Sequence, residues 1–202
     1  MLPTSPSTGA LTLVGVQVAQ ARKVSISGRS ILTAIHKTGV HGPVKVGSLG
    51  LDGDEQADLS VHGGLSKAVY AYPVEHYDFW RRARGEAGVT GIDFQLQPGA
   101  LGENLTLSGV LEDDVWVGDV LQFAHCALRV TQPREPCFKF NAAMGFNMAS
   151  KRMAQSGFCG FYLAVDGAGS VSAGETFTLL PGPRQLSIPE SFRAKLFKHL
   201  RY

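Results

Sequence analysis

The chain has 202 residues, which at roughly 150 per domain suits one domain with a small appendage. With 24 glycines, 44% apolar residues and only 18% charged ones, it reads as compact and turn-rich, not as a disordered chain. The net charge is +2 with no basic stripe, and the longest apolar run, residues 158–165, falls far short of the roughly 18 that span a bilayer, so nucleic-acid and membrane partners are excluded.

Residues 1–10 carry no basic segment, and Pro3 and Pro6 interrupt any apolar one, so they read as a flexible tail and not as a signal peptide. A cytoplasmic location is expected. Short runs rich in β-branched and aromatic residues follow at 11–19, 43–46, 67–72, 104–107, 120–132, 159–165 and 176–179, punctuated by Gly, Pro and Asp. Many short strands with turn signals predict a mainly β fold, a sandwich or a barrel. Pro73 suits a first helical position, with Val74, Tyr77 and Trp80 following at helical spacing. A second helix is expected over 147–155, ending at Gly157. Pro181-Gly182-Pro183 is a linker signal, which divides the chain into a body at 11–181 and an appendage at 182–202. In that appendage Phe192, Leu196 and Leu200 form one stripe of a basic amphipathic helix, which either packs on the body or meets a second copy in a homodimer.

The acidic stretch at 51–58 fails as a calcium loop, because Ala57 stands where the sharp turn needs Gly; a solvated turn is expected, with Asp58 able to orient a neighbour. In Val61-His62-Gly63-Gly64-Leu65-Ser66-Lys67, Gly63 and Gly64 free the backbone to turn N–H groups toward an anion, and Lys67 adds a charge. The three cysteines show no C-x-x-C spacing, which argues against a disulfide framework or structural zinc. Strand parity places Cys126 and Cys159 in the core. Cys137 instead follows a strand end in Gln132-Pro133-Arg134-Glu135-Pro136-Cys137-Phe138-Lys139, in a loop held rigid by two prolines. Arg134 and Lys139 can lower its pKa and so yield a nucleophilic or metal-ligating thiolate. Paired with His62 and oriented by Asp58, the same thiol would serve a hydrolase.

The ordered segments His62-Gly63-Gly64, Lys67-Ala68-Val69-Tyr70-Ala71-Tyr72-Pro73, Gly102-Glu103-Asn104-Leu105-Thr106 and Gln132-Pro133-Arg134-x-Pro136-Cys137 resemble the MOSC domain family, in its YiiM-like branch. The resemblance covers about residues 11–181. It implies a closed MOSC-type β-barrel with a few peripheral helices and a short C-terminal helix. It also implies a molybdenum cofactor (molybdopterin) with Cys137 on the metal, and reduction of N-hydroxylated purine analogues such as 6-hydroxylaminopurine. Sulfur carriage on Cys137 as a persulfide is the alternative that the family suggests. A soft thiolate suits molybdenum. Gly63, Gly64, Lys67 and Arg134 are the expected donors to the pterin phosphate, and Asn104 suits the pterin's donor/acceptor edge. No nicotinamide or flavin fingerprint is present, so electrons are expected from a separate reductase.

Overall fold

The computed structural model describes residues 10–57, 63–90 and 95–199. The first alternating run forms β1 (Thr12–Val18), which buries Leu13 and Val16. Next comes a hairpin of β2 (Arg22–Ile26) and β3 (Arg29–Thr33), missed by the sequence reading. Its turn places Ser27 and Gly28 at φ 51° and 76°, the paired positive values of a two-residue hairpin turn. Short strands β4 (Thr38–Gly39), β5 (Val44–Gly47) and β6 (Gly50–Leu51) follow. Leu65–Lys67 form a single 3-10 turn before β7 (Val69–Pro73), every residue of which is buried, as befits a strand inside a sheet. Pro73 ends that strand, so the helix expected from it starts later. A 3-10 turn at Val74–His76 leads into α1 (Tyr77–Glu86), which turns Tyr77, Trp80 and Ala83 inward.

The remainder comprises β8 (Leu105–Ser108), β9 (Val120–Gln122), β10 (Ala127–Pro133), α2 (Phe138–Met144), α3 (Ala149–Ser156), β11 (Phe161–Gly167), β12 (Gly169–Val171), β13 (Thr178–Leu180) and α4 (Ile188–His199). The run at 120–132 is therefore a hairpin and not one strand. Cys126 lies in its turn and Cys159 precedes β11; both are buried, but strand parity is not what buries them.

Eight strands make one sheet in the order β13-β9-β10-β11-β7-β8-β1-β4. Its pairs are antiparallel except β7 with β8, which are parallel and joined across α1. The expected closed barrel is not formed: the edge strands β13 and β4 do not pair with each other. Between the sheet's two sides the described residues form an isolated bridge, Thr12–Thr176, flanked by three backbone hydrogen bonds: Leu13 N–H to the Glu175 carbonyl at 2.8 Å, Gly174 N–H to the Leu13 carbonyl at 2.7 Å and Phe177 N–H to the Leu11 carbonyl at 3.0 Å. The cause is local. β13 has three residues and runs into Pro181 and Pro183, which lack donors, while β4 has two, so neither edge can sustain a closing ladder. A three-stranded sheet, β12-β5-β6, and the β2–β3 ribbon complete the strands.

Trp80 and Phe140 meet edge to face at 5.2 Å in the core beneath the helices. α4 docks against β10, burying Ile188 and Phe192, with Leu196 packed at the margin. Leu200 lies outside the described residues. Among those described, no helix is long and apolar enough to cross a membrane.

Candidate functional site

Three neighbouring strands bring their residues to one level of the large sheet. Tyr70 of β7 pairs with Tyr162 of β11, which in turn pairs with Gln132 of β10. On the other side, the Asn104 backbone N–H, just before β8, donates to the Tyr70 carbonyl at 2.8 Å. Two residues earlier, Gly102 sits at φ +86°, and a Cβ there would lie 2.8 Å from the Ile35 side chain, so glycine lets the segment after β3 pack against this one. Above this level opens a cleft, walled also by the segments after β3 and β6 and by the start of α2.

Arg134 is the most telling wall residue. It is only 4% exposed, yet it forms no ion pair with a described residue. Its guanidinium stacks on the rings of Phe140 at 4.7 Å and Tyr70 at 5.1 Å, and Nη1 reaches the thioether of Met153, a weak acceptor, at 3.6 Å. Burial pushes the Tyr70 and Tyr162 phenols above their ordinary range, so they stay neutral and leave the cation uncompensated. A buried cation facing a cleft without a counter-charge suits an anionic ligand.

Cys137 lines the same cleft as the last residue of the 134–137 loop, in extended conformation at the N-cap of α2. Its carbonyl accepts from Phe140 N–H at 3.0 Å and from Ser150 Oγ at 2.9 Å, so α3 pins the start of α2. Before it, Lys195 of α4 donates to Glu135 Oε1 at 2.5 Å and to Gln132 Oε1 at 2.7 Å, fastening the segment that carries Arg134 and Cys137. Lys139 also lines the cleft and donates to the Leu32 carbonyl at 3.3 Å.

The opposite wall holds a buried ion pair where the sequence pattern predicts a solvated turn. Lys37 Nζ lies 2.5 Å from Asp54 Oδ1, with both side chains 7% exposed. Asp54 further accepts from Ala19 N–H and from Asn104 Nδ2, each at 2.8 Å. Burial lowers the Lys37 pKa even though Asp54 opposes the shift. No local spacing links positions 37 and 54, which is why sequence patterns could not pair them. Asn104 lines the cleft, yet its amide is engaged: Oδ1 accepts from Tyr70 N–H at 3.1 Å, and Nδ2 donates to Gln17 O as well as Asp54.

Lys67 faces the cleft with Nζ 5.7 Å from the Tyr162 ring centroid, its pKa lowered by burial and by Lys195. Gly64 precedes the 3-10 turn at φ +88°, but its N–H donates to Gln56 Oε1 at 2.7 Å; neither Gly63 nor Gly64 is among the residues that line the cleft. Asp58 and His62 lie outside the described residues. Glu103, in the same motif as Asn104, is fully buried; it accepts from Tyr77 Oη, the Gly99 and Leu101 backbone N–H groups and Thr106 Oγ1, so it is a structural hub.

Residues 58–178 match the MOSC domain family. YiiM from Escherichia coli is 35% identical over 159 residues, 79% of this chain and 69% of its own. A protein named "Reductase" from Gibberella moniliformis is 33% identical over 184 residues, 90% of this chain but 31% of that longer protein. The crystal structure of YiiM from Geobacillus stearothermophilus superimposes with a TM-score of 0.72 at 31% identity, covering 95% of this chain and 85% of that one. The match to the family, the similarity to YiiM and the shared fold together make this chain a member of the MOSC domain family.

Proposed function

We propose that the cleft binds a molybdenum cofactor, with Cys137 as its thiolate ligand, and that the protein reduces N-hydroxylated purine analogues or related N-hydroxylated compounds to amines. The observation that carries this reading is Arg134: a buried guanidinium without a carboxylate partner faces the same cleft as the Cys137 sulfur. The residues fit the group. Arg134 offers a bidentate fork to a phosphate, Lys67 and Lys139 add point charges at the cleft wall, and the sulfur is a soft ligand suited to molybdenum. MOSC domains are associated in general with molybdenum cofactor binding, and the fungal relative's name, "Reductase", agrees with redox chemistry.

When bound, the cofactor supplies two-electron redox chemistry. The substrate's N–O bond breaks, the oxygen leaves as water and the nitrogen remains as the amine, which consumes two electrons and two protons. The electrons come from a separate reductase. Lys37 Nζ holds a proton on the wall facing Arg134 and Cys137, and Asp54 keeps that ammonium and Asn104 in place. The Tyr70 and Phe140 rings hold the planar Arg134 guanidinium in place and shield it from water.

Metal and pterin analysis tests this reading, using protein from hosts that can and cannot make molybdopterin. One molybdenum and one pterin per chain are expected from the competent host. Arg134→Ala removes a charge-assisted contact of roughly 1.5–3 kcal/mol, so retention should weaken about ten- to hundredfold. Wild-type protein that holds neither metal nor pterin would overturn the assignment, and persulfide on Cys137 in that protein would favour sulfur carriage.

A further inference from the structure

The β2–β3 ribbon pairs with neither larger sheet. Its register gives it two faces. Val24, Ile26 and Ile31 are half-buried on one; Lys23, Ser25, Ser30 and Leu32 point outward on the other, with Leu32 45% exposed. By the same register Arg22 and Arg29 stand on the first face and Lys23 on the second; all three are exposed, and none pairs with an acid among the described residues. The whole-chain charge of +2 conceals this: the first 51 residues hold five basic side chains and no acidic one. At the base of β2, the Glu55 carboxylate is turned to the Ala21 backbone N–H at 2.7 Å.

A free two-stranded ribbon is marginal in water, so this one depends on its anchors. They belong to the cleft. Thr33, at the end of β3, is 3% exposed, and Thr33, Ile35 and Lys37 form part of the cleft wall. On the other side, Lys139 of α2, two residues after Cys137, holds the Leu32 carbonyl. The ribbon is thus a basic flap with an exposed apolar residue, fixed at the mouth of the cleft.

We propose that this flap is the docking surface for an acidic face of the separate electron-donor protein. The inference rests on the reductase reading of the cleft. Electron transfer weakens steeply with distance, so a donor must approach the mouth, where this surface lies. Exposed basic side chains on both faces of the ribbon, with Lys23 directly across from the exposed Leu32, steer a partner of opposite charge. The reduced donor is oxidised on docking, and its electrons are spent in breaking the substrate's N–O bond, with release of water. In the fungal relative the matched region is 31% of the protein, which leaves room for such a partner within one polypeptide.

The test uses reduced flavodoxin, a small acidic flavoprotein, and the dye methyl viologen as alternative donors. In the variant carrying Arg22→Glu, Lys23→Glu and Arg29→Glu, all changed side chains are exposed, so folding is retained. Calorimetric titration of cofactor-free protein with flavodoxin should give salt-sensitive binding that the variant weakens roughly tenfold or more. In loaded protein, the KM for flavodoxin should rise by a similar factor while dye-driven turnover stays within about twofold. Unchanged flavodoxin binding by the variant would overturn the proposal, as would tighter wild-type binding to duplex DNA than to flavodoxin. Binding is read without cofactor, so it decides the flap's role by itself; absent dye-driven turnover in the wild type would instead overturn the reading of the cleft.

Discussion

Replacing Asp54 with asparagine tests whether the buried Lys37–Asp54 pair organises the cleft wall. The carboxylate takes three donors: Lys37 Nζ at 2.5 Å, and Ala19 N–H and Asn104 Nδ2 at 2.8 Å each. In Asp54→Asn, whichever way the amide turns, its NH2 faces either Lys37 and Ala19 or Asn104, all of them donors, and Lys37 loses its counter-charge. Breaking one partner of a buried pair costs about 3–5 kcal/mol. For a chain of this size that corresponds to a fall in Tm of about 6–20 °C. Urea unfolding of the cofactor-free protein, followed by fluorescence of the buried Trp80, measures the loss. Lys37→Met should cost less, because Asp54 keeps two of its donors, and the double variant should fall short of the sum by up to about 3 kcal/mol. The pH dependence carries a sign. Burial holds Lys37 below the ordinary 10.5, so between its folded value and 10.5 the unfolded chain binds more protons and stability rises with pH. Removing the Asp54 charge, which raises that pKa, should extend this window downward. A cost for Asp54→Asn under about 1 kcal/mol, with additive single variants, would refute the pair's structural role.

Burial pushes Glu103 above the ordinary carboxylate range, so its contribution is fully present below about pH 4.5 and is lost as pH rises through the folded value. Glu103→Gln should flatten that slope in urea midpoints measured across pH; an unaltered slope would count against it. Iodoacetamide should label Cys137 first in cofactor-free native protein, since Cys126 and Cys159 are buried and burial raises both thiols, Cys126 to about 11. Cys137→Ser should keep the urea midpoint and lose molybdenum; full metal content in that variant would exclude a ligand role. Truncation after Pro181 removes Ile188 and Phe192 from the core at about 1.5–3 kcal/mol each, and it frees Glu135 from Lys195. An unchanged urea midpoint would show that α4 contributes no such burial.

Local patterns in the chain marked most of the strands, the helix ending at Gly157 and the singular position of Cys137. These features depend on neighbouring residues: alternation along a strand, a glycine at φ +77° where a helix stops, prolines bracketing a strand end. The motifs were likewise sufficient for the family, because each is a contiguous segment, such as Gly102-Glu103-Asn104, that can be read without knowing the fold, and the family match spans residues 58–178. What depended on distance in sequence was decided only by the tertiary structure. Whether the sheet closes is settled at its far edges, β4 and β13, and two short strands leave it open. Asp54 became a buried partner instead of a solvated turn because Lys37, Ala19 and Asn104 converge on it from three separate segments. Asn104 was legible as a cleft residue, but packing turned its amide onto Tyr70, Gln17 and Asp54. Arg134 gained its meaning last. Its charge was plain in the sequence, but its isolation from every described carboxylate exists only once Tyr70, Phe140 and Met153 close around it.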